Sequence, residues 1–230
     1  MRKPPLAVLV ALASALVISL ILALLISHSR GAAPGGSRPA ATRPGQAGAE
    51  TGAPAGGGES ASGFDGAALP AGLPAHDFTL TNVLSGQPVS LARYKGQVSV
   101  IAFPYSTCGA SCTLLAQQVR GALDELPRPL PVLFVSADPA ADSRASVSRF
   151  LASVSLSGRV QYLTGPPAAL RSVWRAYGVV PASAGAAAYA NHTEVFVLGA
   201  HGGERVIFGL EQLTAEGLAH DVCKLAGGCG

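Results

Sequence analysis

Hydrophobic and polar positions divide the chain into three stretches. From Leu6 to Ser27 no residue is charged and nearly all are apolar. As a helix rising about 1.5 Å per residue, this run spans roughly 33 Å, enough to cross a hydrocarbon core of about 30 Å. Arg2 and Lys3 precede it and favour an orientation with the N-terminus inside. The run exceeds the apolar core of a cleaved signal peptide, about 7 to 15 residues, so residues 1–30 read as a membrane anchor. Cleavage near Ser27 and Ser29 is the alternative, and no cysteine follows the run to carry a lipid. Residues 31–70 are rich in Gly, Ala, Pro, Ser and Thr. Such a stretch has little apolar surface to bury and reads as a disordered linker.

Beyond it, the periodicity changes every few residues. Phe78 to Leu80 and Val89 to Leu91 alternate around Ser85 and Gly86, which predicts a β-hairpin. Val98 to Phe103 is a short apolar run and reads as a buried strand. Leu115, Val119, Leu123 and Leu126 then fall at helical spacing, until Pro127, Pro129 and Pro131 end the helix. Val132 to Ser136 is the next buried strand, so strand, helix and strand form a βαβ unit with a parallel pair. A helix is expected over 142–154, a strand over 160–163, and a helix opening at Pro166 and Pro167 that stops at Gly178. Strands over 194–198 and 205–208 and a helix over 210–225 complete the chain. The fold class is α/β, in the thioredoxin-like order βαβ…ββα, with a hairpin in front and a helical insertion in the middle. It occupies residues 71–230 as one domain.

Composition removes some functions and adds a site. Charged residues are 13% of the 230 and the formal net charge is +3. No basic cluster is interleaved with aromatics, so nucleic acid is not an expected partner. The four cysteines fall in two close pairs, Cys108 with Cys112 and Cys223 with Cys229. Such pairing suits an oxidising compartment, or a metal or redox site.

Cys108 and Cys112 follow a buried strand and open a helix. Sites in open α/β sheets form beyond the carboxyl ends of strands. A helix N-terminus offers free N–H groups and partial positive charge, which favour thiolate over thiol. Residues four apart share one side of a helical turn, so the two sulfurs can join each other or grip one soft ion. A purely structural bridge is the bland alternative, but so small a loop constrains the unfolded chain little.

A series of short motifs accompanies this pair. Phe78-Thr79-Leu80-Thr81, Gly86-Gln87-Pro88-Val89-Ser90-Leu91 and Tyr94-Lys95-Gly96-Gln97 lead into Tyr105-Ser106-Thr107-Cys108 and Cys112. Ser136-Ala137-Asp138-Pro139, Asp142-Ser143, Leu163-Thr164-Gly165, Ala176-Tyr177-Gly178-Val179 and Asn191-His192-Thr193 follow. In order and rough spacing the series resembles the Sco (SenC) family of copper-binding proteins of cytochrome c oxidase assembly, over about residues 75 to 215. Two departures stand out: the family usually has proline after each motif cysteine, and here those places hold Gly109 and Thr113. Gly109 lacks proline's fixed φ and is expected to loosen the loop.

The resemblance implies a metal set of Cys108, Cys112 and His192, holding one copper ion per domain. His192 precedes the strand from Glu194, at the junction where thioredoxins carry a cis-proline against their cysteines. Two thiolates and one imidazole suit copper, whereas zinc normally takes a fourth ligand. A histidine satisfied in its own loop is the alternative. Asp138 corresponds to the family's acidic residue near the metal, where a carboxylate can orient a ligand; it reads equally as a turn Asp before Pro139. His76, His201 and His220 read as surface residues. Cys223 and Cys229 lie outside the resemblance; a disulfide between them is the favoured reading, a second metal or redox pair the other.

The implied function is delivery of copper to, or reduction of the cysteines in, a membrane oxidase subunit, with a thiol reductant or copper donor as further partner. The other reading is a thiol–disulfide oxidoreductase with Cys108 attacking and Cys112 resolving. Either way the domain is expected on the extracytoplasmic side of a cell membrane.

Overall fold

The computed structural model describes residues 62–190 and 193–229. Its centre is an eight-stranded sheet. In chain order the elements are β1 (Ala67–Ala68), β2 (Thr79–Asn82), β3 (Pro88–Ser90), β4 (Ser99–Ala102), α1 (Ala110–Glu125), β5 (Val132–Val135), α2 (Arg144–Ser153), β6 (Gln161–Thr164), α3 (Pro167–Ala176), α4 (Ala186–Ala190), β7 (Glu194–Leu198), β8 (Glu204–Gly209) and α5 (Ala215–Leu225). Short 3-10 turns add Leu91–Tyr94 and Ala182–Ala184.

Across the sheet the strands run β1-β8-β7-β4-β5-β6-β2-β3. β4, β5 and β6 are parallel, β7 is antiparallel to β4, and β8 to β7. This is the expected βαβ…ββα core, and its insertion contributes the strand β6 as well as helices. The N-terminal hairpin of β2 and β3 docks on β6, antiparallel, at one edge.

Alternation along the central strands sorts side chains to two faces. Val100 and Ala102 of β4, Val132 and Phe134 of β5, and Val195 and Val197 of β7 point to one core. Leu115 and Val119 of α1, Val147 and Leu151 of α2 and Leu218 and Val222 of α5 close it. Ile101, Leu133, Val135 and Phe196 point the other way, under α3 through Leu170 and Val173 and under the hairpin through Leu80 and Val89. Buried on both faces, β4 and β5 are apolar at nearly every position, as strands between helical layers must be.

Most ends follow local rules. α3 stops where Gly178 takes φ +67°, with the Val179 N–H reaching back to the Trp174 carbonyl at 2.8 Å. The last helix begins at Ala215 instead of Leu210, because the Thr214 side chain accepts from the Gly217 N–H at 3.0 Å and fixes the cap there.

The linker boundary needs correction. Residues 62–70 were expected in the disordered stretch, yet β1 pairs with β8 through Ala67↔Ile207 and Ala68↔Val206. The buried carboxylate of Asp221 accepts the N–H groups of Asp65 and Gly66, both at 2.9 Å. Lys224 donates to the carbonyls of Ser62 and Gly63 and sits over the Phe64 ring. Composition hid this strap because its bonds come from backbone groups, and its partners lie some 150 residues away in sequence. The proposed anchor, Leu6 to Ser27, lies outside the described residues; among those described, no helix is long and apolar enough to cross a membrane.

Candidate functional site

β4 ends at Ala102, and the chain continues through buried Phe103 and Pro104 to a turn in which the Cys108 N–H reaches the Tyr105 carbonyl. α1 then starts at Ala110, so both motif cysteines stand at the carboxyl end of a central strand and the beginning of a helix. They are joined as a disulfide, with Cα atoms 5.8 Å apart. Cys108 is half-buried and Cys112 fully buried. A nucleophile from solvent therefore meets the Cys108 sulfur first. No acidic side chain lies in the first turn of α1 and no side chain caps it. Its positive end is left to the sulfurs, which favours their thiolate forms once reduced.

The two positions of departure, Gly109 and Thr113, act together. Gly109 has φ +76° and ψ −135°, a conformation closed to proline, whose ring holds φ near about −65°. Thr113 donates its N–H and its hydroxyl to the Gly109 carbonyl, at 3.1 and 2.9 Å. A proline at 113 has neither group. Gly109 supplies the backbone conformation of this turn, and Thr113 adds a side-chain bond to it.

Asp142 holds the loop from behind. Its carboxylate, 4% exposed, accepts from the Ser106 N–H and the Ser136 hydroxyl, both at 2.6 Å, and from the Tyr162 hydroxyl at 2.9 Å. Burial, then the Asp142 charge, push the Tyr162 phenol well above its usual range, so it remains a donor. Asp138, the residue singled out from the sequence, serves its own turn: its carboxylate accepts from the Ala140 and Ala141 N–H groups at 3.2 and 3.4 Å.

Tyr189 is the residue that sequence reasoning missed. Its hydroxyl donates to the Phe103 carbonyl at 2.7 Å and lies 3.3 Å from the Cys112 sulfur. Its ring stacks edge-on against Tyr105, with centroids 4.8 Å apart. Burial raises the phenol pKa above the usual tyrosine value, although a bond involving Thr193 opposes this. The available signal was that Tyr189 is the one large residue in the small-residue stretch from Pro181 to Ala190. His192 lies outside the described residues. Thr193, which follows it, is tied back to α4, its hydroxyl donating to the Tyr189 carbonyl at 3.0 Å.

The second cysteine pair is bridged, Cys223 to Cys229, on the end of α5 and the turn after it. Of the remaining histidines, His220 is half-exposed and lies 3.0 Å from both Asp65 and Asp221.

The SCO1/SenC family profile matches residues 68–227. None of the curated proteins matches the chain in sequence. Among solved structures, apo Sco1 from Thermus thermophilus superposes with a TM-score of 0.56 at 21% identity, over 70% of this chain and 96% of its own. Yeast Sco1 with copper bound gives 0.53 at 18%, over 67% and 92%. BsSco, described as a Sco-family cytochrome c oxidase assembly protein with a disulfide switch, gives 0.56 at 17%, over 69% and 96%. These likenesses establish the thioredoxin-like fold, and the profile, which covers most of the chain, establishes the lineage. The chain belongs to the SCO1/SenC family.

Proposed function

We propose that this protein handles copper outside the cytoplasm. Tethered to the membrane by residues 6–27, it delivers the ion to, or reduces the cysteines of, a copper-receiving subunit of cytochrome c oxidase. The observation that carries the reading is the placement of Cys108 just before α1 and Cys112 in its first turn, close enough to be bonded. Reduced, they offer two soft sulfur donors at the positive end of α1, a donor set that fits copper as cargo. His192 supplies the third ligand in this reading. Support comes from its sequence neighbour Tyr189, whose phenol already touches Cys112. Copper-bound yeast Sco1 shares the fold, which further favours this choice of ion.

The thiol-exchange reading is favoured by one observation of its own. Cys108 is accessible and Cys112 is not, the asymmetry an attacking and a resolving thiol require. The two readings are successive states of one site, because the pair cannot hold a metal while joined.

The test is a copper titration of the full chain, reduced and oxidised. The reduced protein takes up about one copper and the oxidised protein almost none; equal uptake rejects the site. His192→Ala separates the roles. It abolishes the sulfur-to-copper(II) charge-transfer band while Cys108 keeps most of its exchange reactivity, since the α1 N-terminus is unchanged. A full-strength band in this variant removes His192 from the ligand set.

A further inference from the structure

Two carboxylates from distant parts of the chain converge on one imidazole nitrogen. Asp65 lies in the strap just ahead of β1, whereas His220 and Asp221 are neighbours on α5. The His220 Nδ1 is 3.0 Å from the Asp65 Oδ2 and 3.0 Å from the Asp221 Oδ1. The three donor atoms all lie within 4.8 Å of one another. The group shares no residue with the cysteine motif, which belongs to α1 and the loop before it.

The fold builds this convergence from both sides. Asp221 is fully buried, and its two oxygens accept the Asp65 and Gly66 N–H groups, each at 2.9 Å. A carboxylate oxygen has two lone pairs, so the Asp221 Oδ1 keeps one free for the His220 side after taking the Asp65 N–H. Opposite it, a Cβ at Gly217, one turn earlier on α5, would stand 3.2 Å from the Asp65 Cβ. That is tighter than an ordinary contact, so the missing side chain at 217 is what lets Asp65 come up against the helix. Asp65 and His220 remain half-exposed, and an ion reaches them without opening the core.

The cluster has more acceptors than protons. Nδ1 carries at most one proton, which two carboxylates must share. The next cation along α5, Lys224, is committed to the carbonyls of Ser62 and Gly63. A divalent ion satisfies all three donor atoms together. Nitrogen and oxygen ligands held about 2.0 to 2.2 Å from zinc, at right angles to each other, stand roughly 3 Å apart. This is the spacing of the nitrogen from each oxygen here. An imidazole beside carboxylates suits zinc and its first-row neighbours, whereas calcium and magnesium take oxygen donors.

We propose that Asp65, His220 and Asp221 form a metal site separate from the cysteine motif, for a divalent ion of the zinc class. The Asp65 and Asp221 oxygens and the His220 Nδ1 are its protein ligands, and water completes the shell. The ion staples the strap to α5, so occupancy sets how firmly the segment ahead of β1 is held to the domain. The site needs no thiol, so the fate of the copper reading leaves it untouched.

The test uses the full chain with both cysteine pairs oxidised, so that no thiol takes the ion, and zinc chloride as the probe. Equilibrium dialysis is expected to show about one zinc per chain. His220→Ala and Asp65→Asn each remove one ligand. Losing a group that merely supports a ligand costs about 10- to 100-fold in affinity, so each variant is expected to bind roughly tenfold more weakly or worse. Asp221 is left in place because its carboxylate holds two backbone N–H groups. His201→Ala, which removes an exposed imidazole from the turn after β7, leaves uptake unchanged. Zinc should also slow amide hydrogen exchange of residues 65–68 severalfold in the parent and not in His220→Ala. No uptake by the oxidised chain, uptake unaltered in His220→Ala, calcium uptake as strong as that of zinc, or exchange at residues 65–68 indifferent to zinc overturns the proposal.

Discussion

The phenol oxygen of Tyr189 lies 3.3 Å from the Cys112 sulfur while its proton is given to the Phe103 carbonyl at 2.7 Å. One hydroxyl therefore ties α4 to the end of β4 and to the buried half of the disulfide. Tyr189→Phe keeps the ring against Tyr105 but leaves the Phe103 carbonyl without this donor. Losing one partner of a buried hydrogen bond costs about 1 to 3 kcal/mol. The urea midpoint of the oxidised protein should fall accordingly; an unchanged midpoint shows that the bond adds no stability.

Three buried phenols, Tyr162, Tyr177 and Tyr189, have pKa values raised chiefly by burial. Each stays protonated in the folded protein at a pH where the unfolded chain, titrating near 10.0, loses its proton. The raised group's stability is complete below the unfolded value and is lost progressively as pH rises from there through the folded value. Stability should therefore be level up to about pH 9. Above pH 10 it should decline, by as much as ~1.4 kcal/mol per pH unit for each tyrosine. Denaturation curves at pH 8 and pH 11 check this; equal midpoints contradict it.

Gly109→Pro restores the residue usual in the family and should harm this protein. Proline cannot reach φ +76°, and the turn that presents the carbonyl to Thr113 would be lost. A destabilisation of about 3 kcal/mol is expected, read as a lower thermal midpoint. Thr113→Val, which removes only the hydroxyl donor, should cost about 1 kcal/mol. If Gly109→Pro is as stable as the parent, the turn is adaptable and the two departures from the family are independent.

Removing the chain up to residue 71 takes away β1 and the two backbone donors of Asp221. The buried carboxylate then loses two backbone donors, at about 1.5 to 3 kcal/mol for each bond to a charged group. A chain starting at Ser62 should be more stable than one starting at Gly72 by several kcal/mol. Equal urea midpoints for the two would show the strap to be ornamental.

The central strands and the helices around them were legible because each faces a core and repeats its apolar positions at its own period. The cysteine pair was legible because its place at a strand end and helix start is a matter of order along the chain. Asp142 was visible as part of a motif but not as the anchor of the loop. Its three partners come from three separate segments, and nothing in their sequence announces that they meet. Tyr189 was hidden for a related reason: a lone aromatic among alanines gives no periodicity. Residues 62–66 were hidden because a strap held by backbone N–H groups leaves no mark in composition.

That strap also decides how the domain bears load. Lys224, which grips the carbonyls of Ser62 and Gly63, is on the last turn of α5. That end of the helix adjoins Val98 and Pro131, the residues that lead into β4 and β5, whereas Cys108 follows the other end of β4. A pull on the chain ahead of Ser62 therefore enters at the pole remote from the sulfurs. It is resisted by an edge strand and one helix end before any force reaches β4. The sulfurs are thereby spared a strain applied at the N-terminal strap.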